Sequence, residues 1–160
     1  MSNKRLIIAL DFKNIDEVSN FISKLDPQKC IAKVGLQLFI SEGPKVLEFL
    51  SHKGFEIFLD LKLHDIPNTV EKGLEALVKL KPLFTTIHIS GGDNMMKVTK
   101  SNKRNTKILG VSILTSLDSN QTKKYYNKKN VSTLVKQFSQ AAKKNKLDGV
   151  VCSPQEIKYI

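Results

Sequence analysis

Arginine is almost absent from this sequence: of 26 basic residues, only Arg5 and Arg104 are arginines. Proteins that read bases or clamp a phosphate backbone lean on the arginine fork. The formal net charge of +11 is therefore not read as a nucleic-acid partner. The surplus lysines gather in two polar stretches, residues 99–107 and 121–130, interleaved with Asn, Ser and Thr. That is the composition of a solvated surface, although a positive field also attracts small anionic substrates. Cysteine is scarce too. Cys30 and Cys152 stand far apart with no Cys-x-x-Cys spacing, which excludes a disulfide framework and predicts two buried, reduced thiols of a cytoplasmic protein. No apolar run approaches the roughly 20 residues of a membrane span. The run at residues 6–10 is short and closed at once by Asp11, so it reads as a strand and not as a signal peptide. Five prolines, eight glycines and no repetitive tract exclude a fibrous or disordered chain.

What is present is ordinary globular composition, 41% hydrophobic and 26% charged over 160 residues, enough for one domain with a sizeable core. Strand and helix signals alternate along it. Residues 6–10 predict a buried strand, and Asn14 with Glu17 resembles a capping box ahead of an apolar face of Val18, Phe21, Ile22 and Leu25. Residues 30–35 predict a second strand carrying Lys33, and a helix follows the Gly43-Pro44 breaker with Val46, Leu47 and Leu50 inward. The third strand starts at Glu56, and its helix is expected over residues 67–80, with Pro67 in the first turn. Residues 84–89, 108–114 and 149–152 predict three more strands, a helix is expected over 131–146, and Ser153-Pro154-Gln155-Glu156 is a further capping signature. About six βα units imply a parallel sheet with helices outside it. No Gly-x-Gly-x-x-Gly follows the first strand, which weakens a dinucleotide-binding doubly wound sheet.

Charged residues stand where these strands end. Asp11, Lys33, Asp60 with Lys62, and the polar Thr115 all fall at C-terminal strand ends, where (β/α)8 barrels keep their chemistry. Strand alternation predicts that Asp60 and Lys62 share a face, and Asp65 follows just before Pro67. Charges at the end of an apolar strand are costly unless paired, so the cluster is either a structural ion network or an active site. The expected fold is α/β, a (β/α)8 TIM-type barrel with about six units in one incomplete domain, residues 1–160. A whole barrel usually needs 200 residues or more.

The run Asp60-Leu61-Lys62-Leu63-His64-Asp65-Ile66-Pro67-Asn68-Thr69 resembles the signature of the orotidine 5′-phosphate decarboxylase family. Supporting pieces occur in family order: Ala9-Leu10-Asp11, Lys33-Val34-Gly35, His88-x-Ser90-Gly91-Gly92, Leu114-Thr115-Ser116 and Asp148-Gly149-Val150-Val151-Cys152-Ser153. The resemblance implies a cytoplasmic enzyme of de novo pyrimidine biosynthesis that converts orotidine 5′-phosphate to UMP and carbon dioxide. It implies a homodimer, with neither metal nor organic cofactor, and no nucleic-acid or membrane partner. It implies that Lys62 donates the proton to C6, that Asp60 stands near the departing carboxylate, and that Lys33 joins the charged array and bonds the ribose. Asp11 would bind a ribose hydroxyl, and Asp65 would reach into the partner subunit's site with Ile66 packed nearby. Thr69 would lie close to the phosphate and Thr115 by the pyrimidine.

The phosphate-gripping segments of that family follow strands seven and eight, and no Pro-Gly-Ile-Arg-type segment occurs in these 160 residues. Phosphate binding energy is what such an enzyme directs into the chemical step, so the chain as given is expected to be weakly active or inactive. Two other readings are a sugar-phosphate decarboxylase or aldolase of the same suprafamily, and a non-catalytic remnant or subunit. His64 is expected to hydrogen-bond locally and His88 to pack. No second His or Cys stands at ligand spacing for a metal.

Overall fold

The computed structural model describes residues 4–102, 105–127 and 130–160, with the side chains of 100–102 left aside. Parts of both lysine-rich stretches, including Arg104, lie outside the described residues. The elements run β1 (Leu6–Ala9), α1 (Ile15–Ile22), β2 (Cys30–Val34), α2 (Leu36–Glu42), α3 (Lys45–His52), β3 (Glu56–Leu63) and α4 (Pro67–Leu77). They continue with β4 (Phe84–His88), α5 (Gly92–Asn102), β5 (Lys107–Val111), α6 (Ser119–Tyr126), α7 (Val131–Lys144), β6 (Gly149–Val151) and a 3-10 turn (Pro154–Tyr159). The strands join in chain order, β1 to β6, and the β1–β2, β2–β3 and β5–β6 pairs are parallel. An order that never reverses is that of a singly wound barrel sheet. A doubly wound sheet reverses at a switch point.

The chain divides into two compact units. The first takes in described residues 4–61, 76–85 and 105–106, and the second 62–75, 86–102, 107–127 and 130–160. In the first unit, Asn14 caps α1 by accepting the Glu17 N–H at 3.0 Å. The expected reciprocal bond goes elsewhere: the Glu17 carboxylate accepts from the Lys13 N–H. Leu10, Val18, Val34, Leu47, Leu50 and Leu59 are buried. β1 departs from its expected burial. Leu6 and Ile7 are 55% and 42% exposed, because β1 ends the sheet order and is paired on one side only.

In the second unit the core gathers Val70 and Leu74 of α4, Ile87 and Ile89, Met95 and Met96 of α5, Ile108 of β5 and Ala142 of α7. Gly110 of β5 serves this packing. A Cβ there would come within 2.7 Å of Ile89 and 2.8 Å of Leu147. Asp93, in the first turn of α5, accepts from Lys144 Nζ and Asn145 Nδ2, both at 2.9 Å. These bonds hold its carboxyl below the ordinary value. The 3-10 turn after β6 has the expected capping box, with Ser153 accepting from the Gln155 N–H and Glu156 from the Ser153 N–H.

Both cysteines are free thiols, Cys30 buried and Cys152 half-buried. Desolvation raises the pKa of each. Among the described residues no helix is long and apolar enough to cross a membrane.

Candidate active site

In the first unit the strand register itself assembles a charged group. Lys33 of β2 is paired with Ala9 of β1 and with Phe58 of β3. Two residues beyond each partner come Asp11 and Asp60, and a two-residue step returns a side chain to the same face. Both carboxylates are thus delivered to the face of Lys33. Its Nζ stands 3.8 Å from Asp11 Oδ1 and 3.8 Å from Asp60 Oδ2. The three are unequally exposed: the Asp60 side chain keeps 11% of its surface, Lys33 22% and Asp11 74%. A cation between two anions, one withdrawn and one facing solvent, can bind a polar ligand through the open carboxylate while the inner pair stays fixed.

In the second unit the expected residues lie along one stretch and one turn. Lys62, the seventh residue of β3, has φ 52, in the left-handed region that residues with a Cβ rarely adopt. Its N–H donates to Thr86 Oγ1 at 2.9 Å. The alternation argument for a shared face of Asp60 and Lys62 presumes extended backbone, and so it stops at Leu61. Asp65 is exposed, and its Oδ1 accepts from the Ile66 N–H at 2.6 Å. The Ile66 carbonyl accepts the first amides of α4, from Thr69 at 3.0 Å and Val70 at 3.2 Å. Ile66 therefore caps the helix that Pro67 opens, and its own side chain is 66% exposed. Thr69 is exposed in the first turn of α4. Thr115 is exposed in a turn beyond β5, closed by the Leu117 N–H on the Leu114 carbonyl; the expected strand end at residue 114 falls three residues earlier, at Val111.

His64 and His88 pack on each other, with ring centroids 5.0 Å apart. Their pairing could not be read from sequence, where they stand 24 positions apart. Thr86, which holds the Lys62 amide, was also not singled out. A β-branched residue in an apolar strand carries no signal beyond strand propensity. Among the described residues no three His, Cys, Asp or Glu side chains are grouped to hold a metal ion. Two cavities lie elsewhere, about 570 Å³ near Lys136, Ser139 and Tyr159 and about 780 Å³ near His52, Phe55 and Lys81. None of the expected site residues lines either cavity.

Residues 4–160 match the sequence model of the orotidine 5′-phosphate decarboxylase / HUMPS family. The chain belongs to this family. It is 42% identical to the orotidine 5′-phosphate decarboxylase of Staphylococcus epidermidis, across 96% of this chain and 69% of that protein. With the enzyme of the same name from Ligilactobacillus salivarius it shares 41% identity, across 100% of this chain and 71% of that one. The crystal structure of orotidine 5′-phosphate decarboxylase from Lactobacillus acidophilus superposes with a TM-score of 0.89 at 38% identity, covering 98% of this chain and 74% of that one. The fold is accordingly of the (β/α)8 barrel type, with six strands and the helices between them among the described residues. Residues 60–69, the run that carries the sequence resemblance, occupy the end of β3, the turn after it and the start of α4.

Proposed function

We propose that this chain catalyses the decarboxylation of orotidine 5′-phosphate to UMP, without metal or organic cofactor, in the cytoplasm. The observation that carries the reading is the family membership together with the intact run from Asp60 to Thr69. In this reading the bond from C6 to the carboxylate breaks and carbon dioxide leaves. The electron pair stays on C6, and Lys62 Nζ donates a proton to it. An ammonium held beside that carbon also stabilises the negative charge as it develops. Asp60, next to the substrate carboxylate, disfavours the state in which that charge is still present.

Lys33 fixes Asp60 and contributes a hydrogen bond to the ribose, and the exposed Asp11 takes a ribose hydroxyl. Thr69 lies towards the phosphate and Thr115 towards the pyrimidine. Asp65 and Ile66, both exposed, suit a role across a homodimer interface, with Asp65 entering the partner's site. The expectation from sequence that residues 1–160 form part of one barrel domain belongs to the same proposal.

The test is a long incubation of concentrated protein with orotidine 5′-phosphate, with UMP measured by chromatography, with and without a chelator. The expected result is slow UMP formation that the chelator does not change and that Lys62→Ala removes. UMP formation no faster than in Lys62→Ala would overturn the reading. Chelator-sensitive cleavage of a sugar phosphate would favour the suprafamily alternative. Mixing Lys62→Ala with Asp65→Ala chains tests the shared site, since a site built from two subunits regains part of its activity on mixing.

A further inference from the structure

Two adjacent threonines of β4 both close on β3, and they do so in opposite senses. In the first unit, Thr85 Oγ1 donates to the Leu59 carbonyl at 2.8 Å. In the second, Thr86 Oγ1 accepts from the Lys62 N–H at 2.9 Å. Both threonines are 0% exposed, and successive strand residues face opposite sides. The Thr86 bond falls on the one residue of β3 whose backbone is left-handed, Lys62 at φ 52. Such a conformation persists in a residue with a Cβ only where its surroundings impose it.

We propose that Thr86 is a positioning residue for the decarboxylation, its hydroxyl clamping the Lys62 main chain in the left-handed conformation and so fixing where the ammonium leaves the strand. This rests on the role proposed above for Lys62. The Nζ sits at the end of four methylene groups, and every one of them inherits the direction of the Cα–Cβ bond. Relaxation of φ towards the extended region would swing that bond, and a displacement of about 1 Å at a reacting group costs on the order of a hundredfold in rate. The acceptor is itself rigid, because a buried β-branched side chain has few χ1 choices. An amide at this position also has a strong need of a partner away from water.

The test compares Thr86→Val, which keeps the shape and removes the acceptor, with Thr86→Ser, which keeps the hydroxyl. Thr86→Val is expected to lower kcat by about tenfold or more with KM changed by less than about twofold, while Thr86→Ser stays within about threefold of the parent. Hydrogen exchange of the Lys62 amide, followed by NMR in the 160-residue chain, needs no turnover. It should quicken by about tenfold in Thr86→Val, and not in Thr86→Ser, relative to the other β3 amides. Parent-like exchange at Lys62 in Thr86→Val would overturn the clamp. So would a joint fall of kcat, affinity and melting temperature in both variants. If Lys62→Ala leaves activity intact, it is the proposed function that fails, and the exchange measurement still judges the clamp.

Discussion

The ammonium of Lys33 lies 3.8 Å from the carboxylate of Asp60, and Asp60 is the more withdrawn of the two, its side chain keeping 11% of its surface against 22% for Lys33. Removing one member of a largely buried pair leaves the other's desolvation less well compensated, whereas an exposed carboxylate loses little with its partner. Lys33→Ala is therefore expected to destabilise the protein by about 1–3 kcal/mol. Asp11→Ala, whose side chain is 74% exposed, should change stability by less than about 0.5 kcal/mol. Urea unfolding of the two variants checks this, and equal losses would contradict it.

Gly110 gives a prediction about packing alone. An added methyl would stand within 2.7 Å of Ile89 and 2.8 Å of Leu147, so these side chains must shift, and overpacking of this kind costs about 1–3 kcal/mol. Gly110→Ala should lower the thermal midpoint. A midpoint equal to the parent's would mean that Ile89 and Leu147 move aside freely.

The six strands, the barrel-type succession and the residues at strand ends were legible in the sequence, because buried parallel strands are short apolar runs and charges interrupt them conspicuously. Two helices were not. α2 buries only Leu38 and has no side-chain cap, so it carries almost no periodic signal. α6 is polar and buries only Thr122, so its sequence shows no apolar face. Its Asp118–Gln121 capping box was nevertheless present in the sequence and would have revealed it. In that helix Tyr125 is 66% exposed and lies under Lys124 Nζ, whereas Tyr126 packs edge-on against Phe138. The meeting of Asp11, Lys33 and Asp60 required knowing the register between strands. The left-handed backbone at Lys62 had no sequence signature at all.

Asp93 supplies a pH dependence. Hydrogen bonds from Lys144 and Asn145 hold its carboxyl below the ordinary value of 3.8. A carboxyl depressed in the folded state adds stability that is complete above the unfolded value and is lost as pH falls through the folded one. Asp93→Asn should be less stable than the parent at neutral pH, with the gap closing as the solution is acidified below that ordinary value. A gap independent of pH would show that the charge at position 93 contributes nothing.

The thiols should differ in reactivity. Burial raises both above the ordinary thiol value, so little thiolate exists at neutral pH and both should react slowly with a disulfide reagent. Cys152, half-buried, should react before Cys30, which is 2% exposed. Reaction of Cys30 first would mean that β2 opens more readily than the segment that follows β6.

The left-handed geometry at Lys62 bears on how this position tolerates change. A residue with a Cβ is disfavoured there by about 1–2 kcal/mol, and glycine is not. Lys62→Gly should therefore fold better than Lys62→Ala, and Lys62→Val worse than both. Drift to glycine here would ease the backbone while losing the ammonium. At this position the backbone favours glycine, whereas the proposed reaction requires lysine.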